Sequence, residues 1–380
     1  MKGQEWNQEQ LKQKGYLDAK GLSEEEKEAL KPYKVENAII MAAGYSARCM
    51  PLSHVMPKGL FRVKGELLIE REIEQLKQAG IEEIIVVTGF MKEKFEYLAE
   101  KYAVTLVHNP DYDKYNNMAS LYVAREYMKN SYILCSDNYY EQNVFHPYLY
   151  DSYYSCVYSE AYCDEFCVTE VDEEGYIKGV HRGGSKAWYT IGDAYFNQEF
   201  SQKFCQLMEK EWDEMGTRNL LMDDFHIKHI TELKLKKVER PGRSILEFDT
   251  LEEIQEYDPT FREFIEENLD QKNVVIQTFS KYAEVKSYHS VPTEQLSGRL
   301  HLNENLFRPS PKCLEVLKQV TEEDLYLYDL SHKDELVEAL SESCGISENH
   351  IFVHNGSAEV IKSIFSILLN EKDIVLLPAP

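Results

Sequence analysis

Two cationic residues follow a run of small residues near the beginning of the chain, and together they could bind phosphate. The small residues come directly after the apolar run 38–41, and they are Ala42, Ala43 and Gly44. Arg48 lies four residues after Gly44, and Lys58 lies ten residues after Arg48. Backbone amides of small residues can approach phosphate oxygens closely, and fixed cations neutralise the phosphate charge. The pattern predicts a nucleoside triphosphate site; the alternative is an ordinary strand-to-turn connection with a surface Arg and Lys.

Strand-like and helix-like segments alternate around these residues. The strand-like segments are 38–41, 82–89, 104–107 and 132–135. The helix-like segments between them are 66–78, 92–102 and 118–128. Such alternation predicts an α/β fold with a parallel sheet and helices on both faces. Ligands of such sheets bind beyond the carboxyl ends of the strands, where residues 42–44, Gly89 and Asp137 fall.

The residues from 42 to 58 resemble the signature of the nucleotidyltransferases, A-A-G-x-G-x-R…P-K. Residues 37–257 as a whole resemble the bacterial phosphocholine cytidylyltransferases. The resemblance implies a Rossmann-like nucleotidyltransferase fold with a mostly parallel sheet. The second glycine of the signature is Ser46 in this chain. Because serine disfavours a positive φ, we expect this loop to be shaped differently.

The resemblance also implies a reaction in which a phosphate monoester attacks the α-phosphorus of CTP and pyrophosphate leaves. Lys58, expected to be an exposed loop residue, would hold the α-phosphate and the incoming phosphate, and Arg48 would hold the β and γ oxygens. Magnesium requires oxygen ligands, and the acidic positions that match the family's are Asp137 and Asp223. Asp224 is the alternative to its neighbour Asp223. The alternative role for Asp137 is an Asx-turn or a helix cap.

The pyrimidine and the acceptor would be bound by less specific positions. Asn116, Asn117 and Ser120 lie where relatives bind the pyrimidine, although the same residue types also cap helices. Phe166 and Leu221 align with the aromatic cage that holds a trimethylammonium group by cation–π attraction. Because leucine has no π-face, we expect phosphocholine not to be the best acceptor.

The expected acceptor is therefore a small phosphorylated amine or aminophosphonate, such as phosphoethanolamine. An alternative for the cage is that Phe166 belongs to the core and a tyrosine from 148–162 takes its place. Two other functions remain open: a sugar-1-phosphate nucleotidyltransferase, and a non-catalytic nucleotide-binding module of a fused enzyme. The joint presence of Arg48, Lys58 and Asp137 argues against the non-catalytic module.

The C-terminal segment resembles a different family, the histidinol-phosphate-type aminotransferases, which use pyridoxal phosphate (PLP). The resemblance rests on the motif H-L-N-E-N at 301–305 and on Asn355, Gly356 and Ser357. In that family such a Gly-Ser turn at a helix start binds the PLP phosphate. A Schiff-base lysine is expected well after this turn, but the sequence ends at Pro380. We therefore expect PLP only with a full-length C-terminal domain, and a homodimer formed through this segment.

The composition of the sequence argues against several kinds of partner and of cellular location. The net charge of -24 argues against a nucleic-acid partner. The eight cysteines contain no CxxC pair, which suits reduced thiols in the cytoplasm. No apolar run approaches a membrane-spanning length, so no membrane association is expected.

The predicted segments are a helical extension (1–35), a nucleotidyltransferase domain (36–260), a linker (261–300) and a partial aminotransferase-like segment (301–380).

Overall fold

The computed structural model describes residues 2–269, 309–321, 332–354 and 357–368 of the chain. The chain divides into two compact units, residues 1–288 and 289–380, and the division falls inside the predicted linker, 261–300. Within the described ranges, no helix is long and apolar enough to cross a membrane.

The described part of the first unit consists of short and long strands joined by helices. Its strands are β1 (Tyr16–Leu17), β2 (Asn37–Ala42), β3 (Arg62–Val63), β4 (Glu66–Leu67), β5 (Glu83–Thr88), β6 (Thr105–His108), β7 (Ser131–Cys135), β8 (Asn138–Tyr140), β9 (Tyr148–Leu149), β10 (Tyr153–Ser159), β11 (Cys163–Val171), β12 (Ile177–Gly184), β13 (Ala187–Phe196), β14 (Lys236–Glu239) and β15 (Ile245–Glu247). Its α-helices are α1 (Lys2–Lys14), α2 (Glu24–Leu30), α3 (Leu68–Gln78), α4 (Tyr97–Tyr102), α5 (Asn117–Ala124), α6 (Gln198–Glu211), α7 (Met215–Arg218), α8 (Met222–Lys228), α9 (Leu251–Tyr257) and α10 (Phe261–Asn268).

The largest sheet among the described residues has nine strands, with the path β12-β11-β13-β7-β2-β5-β6. β7, β2, β5 and β6 run parallel. β13, β11 and β12 extend this half with antiparallel pairs, and β10 and β14 join through β13. The predicted α/β class is confirmed, and the parallel half brings the loops after β2, β5 and β7 to one edge.

β2, β5 and β7 form the centre of the fold because both of their faces are apolar. Residues that are partners across the strands enter one hydrophobic cluster: Ile40, Val86 and Leu134. The residues just before them enter a second cluster on the opposite face: Ile39, Ile85 and Ile133. Burying each such side chain stabilises the fold by about 1.5–3 kcal/mol. This rigid centre holds the ends of β2 and β7 in place.

The element bounds differ from the predicted ones mainly at helix starts. The predicted helix 66–78 begins at Leu68, because the two residues before it pair with β3 as strand β4. The predicted helix 92–102 begins with the 3-10 turn Lys92–Phe95 before α4. The first difference comes from the short hairpin that β3 and β4 form, which uses the residues expected to begin the helix.

The N-terminal residues pack onto the first unit. Ser23 caps α2, with its side chain accepting from the Glu26 amide while the Glu26 carboxylate accepts from the Ser23 amide. β1 pairs with β9, and Leu11, Leu30 and Tyr148 are buried together. We find no polar group here that points to an activity.

Helix α10 occupies the first residues of the predicted linker. Phe261 and Phe264 are buried in the cluster that also contains Phe61 and Leu251. The spacing of three residues places both phenylalanines on one helix face. The compact packing of the first unit therefore continues past residue 260, the predicted domain limit.

The described part of the second unit contains three α-helices: α11 (Pro311–Leu317), α12 (His332–Cys344) and α13 (Ser357–Leu368). α13 exposes several apolar side chains, with Ile361 50%, Ile364 45% and Ile367 78% exposed. An apolar helix face of this kind favours association. The homodimer expected through this segment stays a prediction.

Candidate active site

A cavity of about 380 Å³ lies at the carboxyl ends of β2 and β7, a volume typical of small-molecule sites. The predicted site residues that line it are Ala42, Ala43, Gly44, Lys58, Asn117, Ser120 and Asp137. Further lining residues include Tyr45, Asn109, Tyr112, Tyr115, Ser136 and Leu221. The lining does not include the predicted site residues Arg48, Gly89 and Asp223.

The loop after β2 forms one wall of the cavity. Ser46 has φ 51° and ψ 48°, so the serine itself adopts the left-handed conformation rather than avoiding it. This conformation costs a residue with a Cβ about 1–2 kcal/mol. The loop is held by a hydrogen bond from the Phe90 amide to the Ala43 carbonyl, 3.1 Å long. The premise of the expectation, that serine avoids a positive φ here, is therefore wrong, and a different loop shape stays a prediction.

Gly89 lies behind the cavity wall and acts through packing. A Cβ at Gly89 would lie 2.7 Å from the carbonyl oxygen of Ala43 and 2.6 Å from the Cβ of Tyr112. Both contacts are closer than van der Waals distance, so a larger residue would displace the wall. The structure thus gives Gly89 an indirect role, through the position of Ala43.

Lys58 and Asp137 form the charged centre of the cavity. The Nζ of Lys58 lies 3.0 Å from Oδ2 of Asp137, and only 6% of the lysine side chain is exposed. The expectation of an exposed loop lysine is therefore wrong. Burial lowers the pKa of Lys58, but the carboxylates of Asp137 and Glu247 outweigh it and the net pKa is raised. Lys58 is thus a fixed cation, and its partner carboxylate still contacts the cavity.

Arg48 lies at the outer side of this centre. Its guanidinium Nη2 is 2.7 Å from Oδ1 of Asp249, and 68% of its side chain is exposed. A long, exposed arginine can change rotamer at little cost, so its present ion pair does not fix its position. The structure places Arg48 beside the loop but not on the cavity surface.

Glu247 and Asp249 are acidic residues that the sequence analysis did not select. β15 pairs with β8 so that Glu247 lies opposite Asn138, the residue after Asp137. Partial desolvation of the carboxyl and then the charge of Asp137 raise the pKa of Glu247, although the residue as a whole is exposed. The two acids are two residues apart in the sequence, with Glu247 as the last residue of β15 and Asp249 just beyond it.

Asp223 is bonded to neighbouring side chains instead of lining the cavity. Its oxygens accept hydrogen bonds from Thr190 Oγ1 at 3.0 Å and from the Tyr154 hydroxyl at 3.5 Å. Burial raises the pKa of Asp223 to about 6, although these hydrogen bonds oppose the shift. Asp224 has a different task, since its Oδ2 accepts from the Leu221 amide at the start of α8. The magnesium role of Asp223 stays a prediction.

Replacing Asp223 with Asn should stabilise the first unit at neutral pH. Because the folded-state pKa lies above the ordinary value of 3.8, the folded form prefers the protonated carboxyl. Wild-type stability should therefore fall relative to Asp223→Asn as pH rises from about 4 to 6, by about 1–3 kcal/mol. Thermal unfolding of both proteins across this pH range measures the difference. Asp213→Asn, at a fully exposed acid, is the control, and parallel pH profiles for wild type and Asp223→Asn would contradict the expectation.

The predicted pyrimidine-binding residues join α5 to its neighbours. Oδ1 of Asn117 accepts from the Met222 amide at 2.8 Å, and Nδ2 of Asn109 donates to Ser120 Oγ at 3.2 Å. Asn116 is the N-cap of α5 but makes no side-chain cap hydrogen bond. Asn116 thus does not cap α5 through its side chain, whereas Asn117 satisfies the first amide of α8. Asn116, Asn117 and Ser120 all line the cavity, and their pyrimidine role stays a prediction.

The two residues expected on the acceptor side lie on different elements: Phe166 on β11 and Leu221 at the start of α8. Phe166 is buried on β11 under the guanidinium of Arg182, whose Cζ is 5.7 Å from the ring centre. Leu221 lines the cavity but Phe166 does not. Glu165, next to Phe166, is a third acid that the sequence analysis did not select. Burial, followed by the charge of Asp249, raises the pKa of Glu165.

The predicted PLP-binding residues belong to the second unit. Gly356 lies outside the described residues. Ser357 is the first residue of α13, in agreement with the expected helix start. Their PLP role stays a prediction.

Comparison with known proteins matches the first unit to nucleotidyltransferases, as the sequence motif predicted. Residues 38–137 match the family of MobA-like NTP transferase domains. The choline-phosphate cytidylyltransferase of Streptococcus pneumoniae is 34% identical over 57% of this chain and 94% of that protein. The 2-aminoethylphosphonate cytidylyltransferase of Lancefieldella rimae is 34% identical over 58% of this chain and 92% of that protein. A solved structure of CTP:phosphocholine cytidylyltransferase from S. pneumoniae, 34% identical, has a TM-score of 0.56 and covers 58% of this chain and 96% of that one.

A separate, smaller part of the chain is similar to proteins of another kind. Histidinol-phosphate aminotransferase of Pseudomonas putida is 38% identical over 80 residues. These residues are 21% of this chain and 23% of the aminotransferase. The similarity therefore spans about a quarter of that enzyme.

Proposed function

We propose that this chain transfers CMP from CTP to a small phosphorylated primary amine or aminophosphonate. The chain belongs to the nucleotidyltransferase family that contains the choline-phosphate and 2-aminoethylphosphonate cytidylyltransferases. Pyrophosphate is the second product. The observation that carries the proposal is the buried Lys58 beside Asp137, at the end of the central strands and next to the small-residue loop.

The chain's own residues would act mainly by positioning and by neutralising charge. CTP would lie with its phosphates against the amides of residues 42–44 and its base toward Asn117 and Ser120. Lys58 would stabilise the charge that develops at the α-phosphate as the acceptor phosphate approaches. Because Lys58 is fixed by burial, its ammonium needs little reorganisation during the reaction. Arg48 would turn from Asp249 to the β and γ oxygens.

A magnesium ion fits the acidic residues beside Lys58. No group of three or more His, Cys, Asp or Glu side chains among the described residues is arranged to hold a metal by itself. Nucleotide-bound magnesium usually takes one or two carboxylates, with phosphates and water as the other ligands. Asp137 and Glu247 would supply these carboxylates and the ion would neutralise triphosphate charge. Partial desolvation and then the charge of Asp137 raise the pKa of Glu247 although Lys58 opposes the shift, and a bound cation would stabilise both carboxylates.

The acceptor's ammonium group would bind near Glu165. Glu165 is partly buried, and it interacts electrostatically with Asp249 and with Arg48. A primary ammonium carries three hydrogen-bond donors and needs oxygen acceptors, whereas a trimethylammonium group needs aromatic faces. Leu221 lies on the cavity wall and Phe166 is buried outside the lining, so neither position of the expected cage offers an aromatic face to the cavity. The proposed acceptor is therefore phosphoethanolamine or an aminoalkylphosphonate.

Glu165→Gln should raise KM for the amine acceptor and leave KM for CTP nearly unchanged. The lost charge-assisted hydrogen bond is worth about 1.5–3 kcal/mol, and the partial exposure of Glu165 favours the lower end, or roughly tenfold. Glu170→Gln, at an exposed position of the same strand, is the matched control. An unchanged acceptor KM would remove Glu165 from the site.

Pyrophosphate release with four triphosphates and a set of acceptors tests the function itself. The acceptors are phosphocholine, phosphoethanolamine, 2-aminoethylphosphonate and glucose 1-phosphate. We expect the highest kcat/KM for CTP with a primary amine. Turnover of glucose 1-phosphate in place of the amines would favour the sugar-1-phosphate alternative. CTP binding without turnover of any acceptor would favour the non-catalytic module.

The proposal that the second unit binds PLP carries one condition. Gly356 and Ser357 would bind the PLP phosphate only in a protein that also supplies a Schiff-base lysine, since that lysine forms the covalent link to the cofactor.

A further inference from the structure

Two cysteine thiols lie against each other on β11. The Sγ atoms of Cys163 and Cys167 are 3.8 Å apart. In a straight strand, residues four apart are separated by about 13 Å along the chain, so the contact requires a local distortion. The register with β12 shows it: three steps from Cys163 to Phe166 correspond to two steps from Gly184 to Arg182. A β-bulge thus brings the thiols together.

The neighbouring strand leaves room for this contact. Gly184 lies opposite Cys163, and a Cβ at Gly184 would be only 3.2 Å from the Sγ of Cys167. The two thiols also differ in access to solvent. Cys167 is fully buried, whereas Cys163 is partly exposed. Burial, followed by the hydrogen bond with Cys163, raises the pKa of Cys167. An incoming oxidant would therefore meet Cys163 first.

We propose that Cys163 and Cys167 form a reversible disulfide with each other, by exchange with a low-molecular-weight disulfide such as glutathione disulfide. This bond controls the position of Glu165. The second half rests on the proposed function, because it assumes that Glu165 binds the acceptor. A metal site is the weaker alternative for the two thiols, since no metal-binding group of three was found among the described residues.

The exchange follows ordinary thiol–disulfide chemistry. The Cys163 thiolate attacks one sulfur of glutathione disulfide, which breaks the S–S bond and releases one glutathione thiolate. Cys167 loses its proton to water and attacks the Cys163 sulfur, and the second glutathione thiolate leaves. Two protein thiols are oxidised and one glutathione disulfide is reduced to two thiols. The two protons released by the protein balance the two glutathione thiolates.

The bond would change the shape of the segment between the cysteines. A disulfide requires sulfurs about 2.05 Å apart, so the two Sγ atoms must approach by about 1.8 Å from their 3.8 Å contact. Glu165 and Phe166 lie inside the loop that closes. Since a displacement of about 1 Å at a binding group can cost up to a hundredfold in rate, we expect oxidation to raise the acceptor KM roughly tenfold. CTP binding should stay within about twofold, because the bond leaves the β2 loop unchanged.

The first experiment detects the bond directly. The full chain, with the exposed Cys313 and Cys344 replaced by serine, is equilibrated with glutathione disulfide, quenched and alkylated. A protease specific for glutamate cuts after Glu160, Glu165 and Glu170, so residues 161–165 and 166–170 separate unless a disulfide joins them. We expect the joined peptides, and their loss on reduction. Separately alkylated peptides at every ratio, or glutathione retained on Cys163, would overturn the proposal.

The second experiment measures the consequence in the same background. Acceptor KM should rise on oxidation in the parent protein and not in Cys163→Ser. Cys205→Ser, at a partly buried thiol elsewhere, is the matched control and should respond like the parent. Joined peptides with an unchanged acceptor KM would overturn control of Glu165. If the reduced enzyme turns over no acceptor, the proposed function fails, and the peptide experiment still decides the disulfide.

Discussion

Lys58→Met should lose at least roughly a hundredfold in kcat, the effect seen when one preorganised charge contact is removed from a reaction centre. The side chain is buried and its Nζ is 3.0 Å from Asp137, so the cation is already in place before substrate binds. Methionine keeps most of the volume while removing the charge, which limits the packing loss that alanine would add at a buried position. Pyrophosphate release at saturating CTP and acceptor measures the effect.

The control for this variant is Lys101→Met, which breaks the ion pair of a half-exposed lysine with Glu70 on the surface. Its kcat should be unchanged. Thermal unfolding of both variants separates loss of chemistry from loss of fold. A Lys58→Met enzyme with near-normal kcat and a normal unfolding temperature would show that the phosphate role belongs to another residue.

Asp137→Asn should weaken the magnesium dependence of CTP binding and lower kcat by at least roughly a hundredfold. The amide keeps the size of the carboxylate but removes a hard anionic ligand and the partner of Lys58. CTP binding by calorimetry, with and without magnesium, separates the loss of the metal ligand from the loss of the Lys58 partner. Binding without magnesium should change little. The double variant with Lys58→Met should lose much less than the sum of the two single losses, because both belong to one ion pair.

Two further variants identify the second carboxylate. Glu247→Gln should shift the magnesium titration in the same direction as Asp137→Asn, because β15 places Glu247 opposite Asn138. Asp223→Asn should leave the titration unchanged, because Asp223 is bonded to Thr190 and Tyr154. The opposite result, a shift for Asp223→Asn alone, would restore the prediction from sequence. Asp111→Asn, at a surface ion pair with Lys114, is the control.

Local sequence was sufficient for the centre of the fold. The apolar run at 38–41 and the strand-like segment 82–89 could be assigned because residues in both faces of a parallel sheet must be apolar. The small residues 42–44 then had to lie at the carboxyl end of a strand. Lys58 and Asp137 could be selected as site residues from the sequence. Their direct contact could not be predicted, because 79 residues separate them.

Strand pairing decided the residues that the sequence analysis missed. Glu247 and Glu165 lie on β15 and β11, far from the β2 loop in sequence, and each looks like an ordinary surface acid when read alone. The pairing of β15 with β8, which is regular in both strands, places Glu247 opposite Asn138, and the fold brings Glu165 within electrostatic range of Asp249 and Arg48. Neither feature follows from residue type, because register is set by long-range contacts.

The sequence by itself determined the α/β fold class, which depends on residue order and local periodicity, and its resemblance to the cytidylyltransferases indicated the chemical class of the reaction. Only the tertiary structure decided that Lys58 is buried, that Gly89 acts by supporting Ala43, and that Asp223 is bonded away from the cavity. These properties depend on what packs around each side chain. Burial and partners arise from segments that are distant in the chain, and the free energy of a charge depends on both.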